Sequence, residues 1–225
     1  MKTCAFAAAA LAAASVASAQ PTTVFYSDFD TGTPGEIGGY SINESVAGYA
    51  GVGNPGDLFG GNFLRNDSQN SATTLTLTGL PAHTSVSIGF LAALIDSWDS
   101  DNGSPAPDYL VIEVDGSEII RITCANASGT TNYGGDQIAA PIGRGWNGSW
   151  GDRGYDMGNE ALLQNIAHTG SNLTVSFFAA GAGWQSGLDE SWAIDNLEVV
   201  ADVVPTPGSI ALLSLAGLCA ARRKR

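Results

Sequence analysis

One stretch gathers the oxygen donors Asp96, Asp99, Asp101, Asn102 and Asp108 within 13 residues, with Gly103, Pro105 and Pro107 to turn the chain. Hard cations take six to eight oxygen ligands, so this loop offers the chemistry of a Ca2+ site, and Ca2+ is the one cofactor the sequence suggests. It is not an EF-hand, because Gly103 stands at the fifth position from Asp99 and no Glu stands at the twelfth. A solvated acidic loop is the other reading of the same residues.

A second constellation runs Arg144-Gly145-Trp146-Asn147-Gly148-Ser149-Trp150-Gly151-Asp152-Arg153. Sugar rings present C–H faces that stack on indole, while guanidinium and amide groups bind hydroxyls. Trp146, Trp150, Arg144, Asn147 and Arg153 are therefore candidate glycan contacts. The competing reading folds both indoles inward to pin a glycine-rich loop, as Trp is highly buried on average. Trp98, Trp184 and Trp192 are expected in the core or at a sheet edge.

Glycoside hydrolysis needs two carboxylates about 5–9.5 Å apart across the scissile bond. Glu113 and Glu118 flank Asp115-Gly116, and Asp189, Glu190, Asp195 and Glu198 share one strand. Laminarinase-like sandwich hydrolases carry E-x-D-x-x-E on a single strand. The segment Ala193-Ile194-Asp195-Asn196-Leu197-Glu198 resembles it but has Ala where the first Glu would stand. No catalytic residue is assigned, and these carboxylates are expected on solvated strand faces. A Ser-His-Asp site lacks its G-x-S-x-G elbow. His83 and His168 each sit in a turn and are expected to be exposed, and two histidines without a carboxylate cluster make a poor transition-metal site.

Charge excludes other partners. The chain has 225 residues and a net charge of −13, and between its termini only Arg65, Arg121, Arg144 and Arg153 oppose all 22 acids. Such a surface repels nucleic acid and anionic lipid. Cys4 and Cys219 lie in the apolar terminal segments, so Cys124 has no partner for a disulfide or a thiolate zinc site and is expected to be a small buried hydrophobe.

The elements that position these residues read as strands. Apolar and small polar residues alternate at 73–77, 85–90, 110–114 and 173–177, and Asp115-Gly116 supplies the positive φ values of a tight hairpin turn between 111–114 and 118–122. Further strands are expected at 24–29, 62–65 and 191–200, and 159–167 is open between helix and strand. Without βαβ spacing, an all-β fold follows, an antiparallel two-sheet sandwich. The stretches 31–61 and 125–158 are expected to be ordered, irregular loops.

Two addresses frame this domain. Met1 to Ala19 has one basic residue, a short apolar stretch and small residues at Ala17 and Ala19, the pattern of a signal peptide cleaved before Gln20. At the other end Pro205-Thr206-Pro207 precedes an apolar run and Arg222-Arg223-Lys224-Arg225. Residues 203–225 resemble the PEP-CTERM sorting signal read by exosortase systems, with Thr206 where the family name has Glu. The resemblance implies export, a short transmembrane helix that holds the chain before processing, and an exosortase-type enzyme as partner. The motifs Phe25-Tyr26-Ser27-Asp28-Phe29-Asp30, Ser97-Trp98-Asp99 to Pro107-Asp108-Tyr109, and Trp192-Ala193-Ile194-Asp195-Asn196 resemble exported jelly-roll domains of the concanavalin-like or MAM-like kind, which implies first and last strands paired near each other.

The expected organisation is thus a signal peptide at 1–19, a β-sandwich at 20–202 and a sorting segment at 203–225. The expected function is a non-catalytic matrix or glycan-contacting module at the cell envelope, cell surface or outside the cell, with polysaccharide as partner. An extracellular glycan-active hydrolase is the alternative.

Overall fold

The computed structural model describes residues 18–131, 133–146 and 150–205. Asn147, Ala17 with the rest of the leader, and Thr206, Pro207 and Arg222 to Arg225 of the sorting segment lie outside the described residues. Among the described residues no helix is long and apolar enough to cross a membrane.

The described residues form fifteen strands in chain order: β1 (Gln20–Ser27), β2 (Ile37–Gly39), β3 (Ile42–Ser45), β4 (Gly53–Asn54), β5 (Asp57–Leu58), β6 (Asn62–Asn66), β7 (Thr73–Thr78), β8 (His83–Asp96), β9 (Tyr109–Val114), β10 (Ser117–Ile122), β11 (Asp136–Ile142), β12 (Asp152–Asp156), β13 (Ile166–Ala167), β14 (Asn172–Ala180) and β15 (Glu190–Val203). The larger sheet runs β11-β12-β8-β15-β6-β3, with β1 beside β15 and β13 beside β8, and the smaller runs β10-β9-β14-β7-β2. All these ladders are antiparallel. The expected sandwich is present, and first and last strands pair as the jelly-roll resemblance implies, Tyr26 opposite Glu198.

The core between the sheets joins Leu75, Leu110, Ile112, Val175 and Phe177 of one to Ile88, Phe90, Leu94, Trp192 and Ile194 of the other. Phe90 meets Phe177 edge to face, centroids 5.2 Å apart. Period-two patterning puts Leu91, Ala93 and Ile95 on the opposite face of β8, where they join Val46, Tyr49, Phe59 and Phe63 in a second cluster. Both faces of β8 are therefore covered, which is why its second half reads as a continuous apolar run. The Asp115-Gly116 turn forms as expected, with φ of 50° and 75°.

The two expected loops need correction, because both contain strands. Residues 31–61 hold β2 to β5 and a 3-10 turn at Ala47–Tyr49, and residues 125–158 hold β11 and β12. Asp152-Arg153-Gly154-Tyr155-Asp156 has no apolar alternation, yet every residue of it is buried between β8 and β11. Its charges are satisfied locally: Arg153 donates to Gln137 Oε1 at 2.7 Å and to the Ala125 carbonyl at 3.0 Å, while Asp152 accepts from the Asp96 N–H at 3.0 Å. Residues 159–167 resolve into a 3-10 turn at Ala161–Leu163 and the short β13.

The histidines also differ from expectation. His83 and His168 are stacked 4.9 Å apart with buried side chains, because their two turns meet at the end of the sandwich. His83 Nδ1 donates to the Pro81 carbonyl at 2.6 Å, and His168 Nε2 donates to Asp115 Oδ2 at 3.1 Å. His83 Nε2 and His168 Nδ1 meet at 2.6 Å, so the two rings hold each other's orientation.

Candidate functional site: a cleft rimmed by Trp150

Three segments converge at the end of β8. The 97–108 loop leaves β8, the 181–189 loop enters β15, and Trp150 projects from the connection between β11 and β12. Between them lies a cleft of about 260 Å³ lined by Ser97, Asp99, Ser104, Trp150, Gln185 and Asp189, among others. Trp150 is 48% exposed, an unusual state for so large an apolar side chain.

Side-chain and backbone hydrogen bonds hold the walls. Ser97 Oγ donates to Asp189 Oδ1 at 2.9 Å and the Ser97 N–H to the Asp189 carbonyl at 3.1 Å, clamping one loop to the other. Trp98 turns inward, stacks edge to face on Trp184 at 5.3 Å and donates its indole N–H to the Ser191 carbonyl at 2.9 Å. Gly183 permits the close approach of the loops: a Cβ there would stand 2.8 Å from Asp108 Oδ1 and 2.9 Å from Ala106 Cα. Any larger residue would force the loops apart.

Of the five candidate glycan contacts, Trp150 alone lines this cleft among the described residues. Trp146 packs against the second cluster, its ring 5.3 Å from that of Phe63 and covered by the Arg65 guanidinium at 5.5 Å. Arg144 lies over the Tyr49 ring at 5.2 Å and donates to the Gly48 carbonyl at 3.1 Å. Arg153 is committed to the strand contacts already described. The ten-residue segment thus splits its two indoles between structure and surface, a mixture of the two readings of the sequence.

The candidate calcium ligands divide as well. Asp99 and Asp108 come together, and the third member of their group is Glu190, with one carboxylate oxygen from each lying within 4.8 Å of the others. Asp101 is exposed beside Tyr109, and Asn102 Oδ1 accepts from Ser100 Oγ and the Thr130 N–H, both at 2.8 Å. Asp96 is buried one strand over, opposite Glu190 in the β8–β15 ladder. Glu190, expected on a solvated face, is fully buried because β15 is interior to the larger sheet and its first residue is capped by the 97–108 loop. A strand-initial Glu directly before Ser191-Trp192 offered no signal in the sequence for that burial.

Burial dominates the electrostatics. It pushes the Asp108 carboxyl up to about 6 and that of Glu190 up to about 8, partly offset for Asp108 by the hydrogen bond from the Asp99 N–H and for Glu190 by that from the Gln185 N–H. For Asp108 the charges of Asp99 and Asp189 add to the rise and a hydrogen bond with the Glu190 carboxyl opposes it, while Glu190 also feels the charges of Asp108 and Asp189. A second acidic pocket lies at the β1–β15 end, lined by Asp28, Asp30, Gly60 and Asn196. There burial pushes Asp195 up to about 7, against hydrogen bonds from the Gly60 and Asn196 N–H groups, with Asp30 and Asp28 adding to the rise.

No protein-family model and no curated protein matches the chain. Among solved structures it is similar to the CBM22-1 xylan-binding domain of Paenibacillus barcinonensis Xyn10C, at 13% identity and a TM-score of 0.35, over 85% of this chain and 100% of that one. It is similar also to the Agl-KA catalytic domain, at 14% identity and a TM-score of 0.34, over 87% of this chain and 30% of that one. The GH115 4-O-methyl-alpha-glucuronidase BtGH115A aligns at 12% identity and a TM-score of 0.36, over 86% of this chain and 19% of that one.

Proposed function

We propose that this chain is an exported, non-catalytic β-sandwich that contacts polysaccharide at the Trp150 cleft. The observation that carries the reading is a half-exposed indole set among hydroxyl, amide and carboxylate groups. An indole face takes the C–H side of a sugar ring, and Ser104, Gln185 and Asp189 offer both donors and acceptors to its hydroxyls. At about 260 Å³ the cleft is smaller than the roughly 300–1,000 Å³ of small-molecule pockets, so it suits one unit of a polymer whose remainder lies in solvent. The signal-peptide pattern and the resemblance of residues 203–225 to a sorting signal support delivery to the cell surface through an exosortase-type enzyme.

Binding is favoured over hydrolysis by the placement of the carboxylates. Asp108 and Glu190 have the raised affinity for protons that a general acid needs, but both are fully buried, and the group they form with Asp99 is gathered within 4.8 Å. Carboxyl groups that act on a glycosidic bond must be open to the polymer. Retardation of the purified domain in gels containing polysaccharide, without release of reducing ends, is the expected behaviour. Release of reducing ends would establish the hydrolase.

A further inference from the structure

Asp99, Asp108 and Glu190 belong to three different parts of the chain: the loop after β8, the residue before β9 and the first residue of β15. All three are buried, and none takes part in an ion pair among the described residues. Protein donors anchor one side of the group. The Asp99 N–H donates to Asp108 Oδ2 at 2.6 Å, and the Gln185 N–H donates to Glu190 Oε2 at 2.6 Å. On the other side Asp99 Oδ1 is shut off from solvent and accepts no hydrogen bond from any described residue, while the Asp108 carboxylate meets the Glu190 carboxyl. Buried acceptors are almost always paired, and an orphaned carboxylate oxygen is among the costliest to leave so.

We propose that this cluster binds a calcium ion that ties the 97–108 loop to the start of β15. Ligand oxygens stand 2.3–2.6 Å from Ca2+, so two of them can be separated by at most about twice that distance. The 4.8 Å that bounds the oxygens of Asp99, Asp108 and Glu190 meets this limit. Calcium fits better than magnesium, because magnesium sheds its water reluctantly and demands a near-ideal octahedron, whereas three carboxylates in a dry site supply an irregular set. The remaining ligands would be the carboxylates' second oxygens and water. Binding here fixes the wall of the cleft that carries Asp99 and lies beside Asp189, without reaching the indole of Trp150.

The inference does not depend on glycan binding and is tested without any polysaccharide. The chelator-treated chain is titrated with calcium chloride by calorimetry, and hydrogen exchange is followed with and without the ion. Native protein should take up calcium, and Asp99→Asn and Glu190→Gln should each lose one equivalent that the exposed-site variant Asp101→Asn keeps. Exchange should slow in residues 97–108 and 181–190, and the unfolding temperature should rise by roughly 5–10 °C at a hundredfold excess over the dissociation constant. The exchange measurement needs only the native chain, so it decides the matter even if a variant fails to fold. Absence of calcium uptake, or protection confined to other segments, would overturn the proposal.

Discussion

The Trp146 indole lies 5.3 Å from the Phe63 ring, centroid to centroid, so it closes the second cluster on the outer face of the larger sheet. Four residues later Trp150 faces solvent. Two indoles four positions apart in sequence are therefore one packed and one half-exposed.

That division predicts opposite behaviour for the two indoles in stability measurements. Removing a buried Trp side chain costs about 3–5 kcal/mol, and the partial exposure of Trp146 places Trp146→Ala at the lower end. Its thermal unfolding midpoint, followed by circular dichroism, should fall by roughly 6–12 °C. Trp150→Ala should change stability by less than about 0.5 kcal/mol, as surface substitutions do.

The histidine chain is a structural feature. His168→Ala removes the partner of buried His83 Nε2 and of Asp115 together. Leaving a buried polar group unpaired costs about 1–3 kcal/mol, which a lowered urea midpoint with unchanged slope would register. An unaltered midpoint would mean the two rings contribute nothing by their contact.

Asp195 gives the fold a pH dependence. Its folded-state carboxyl is raised to about 7 by burial, above the ordinary value near 3.9, so the folded chain holds this proton more tightly than the unfolded chain does. Stability from this group is present below about pH 4, falls as pH rises towards 7 and levels off beyond. Asp195→Asn should flatten the fall in unfolding free energy between pH 4 and 7 by roughly 2–4 kcal/mol, measured by urea unfolding in chelator. An identical pH slope in native and variant protein would refute the assignment.

Much of this architecture was legible in the sequence. Period-two alternation located β7, β9 and β14, and Asp115-Gly116 located the hairpin, because in those strands the core-facing residues alternate with residues that are mostly less buried. β12 was illegible for the opposite reason: all its residues are buried, and Asp152 and Asp156 accept hydrogen bonds from, and Arg153 donates one to, residues distant in sequence. The acidic loop was visible as composition, and the pairing of Asp99 with Asp108 lay within it. Glu190 was not, since it stands 82 positions beyond Asp108 and only the β8–β15 ladder brings it near. The cleft was half legible, as nothing in Arg144 to Arg153 distinguishes the indole that turns in from the one that turns out.

Export is open to direct measurement. Mass spectrometry of material recovered outside the cell should find a chain that begins at Gln20 and lacks Arg222 to Arg225. An intact C-terminus in that material would reject cleavage of the sorting segment.

Affinity electrophoresis of native protein, Trp150→Ala and Trp146→Ala through gels cast with a panel of bacterial and plant polysaccharides tests the glycan reading most directly. The native chain should be retarded by at least one polysaccharide. Trp150→Ala should migrate as in a gel without it while keeping its unfolding temperature, and folded Trp146→Ala should still be retarded. Equal retardation of native protein and Trp150→Ala, or none of the native protein on any polysaccharide, would contradict the assignment of the cleft.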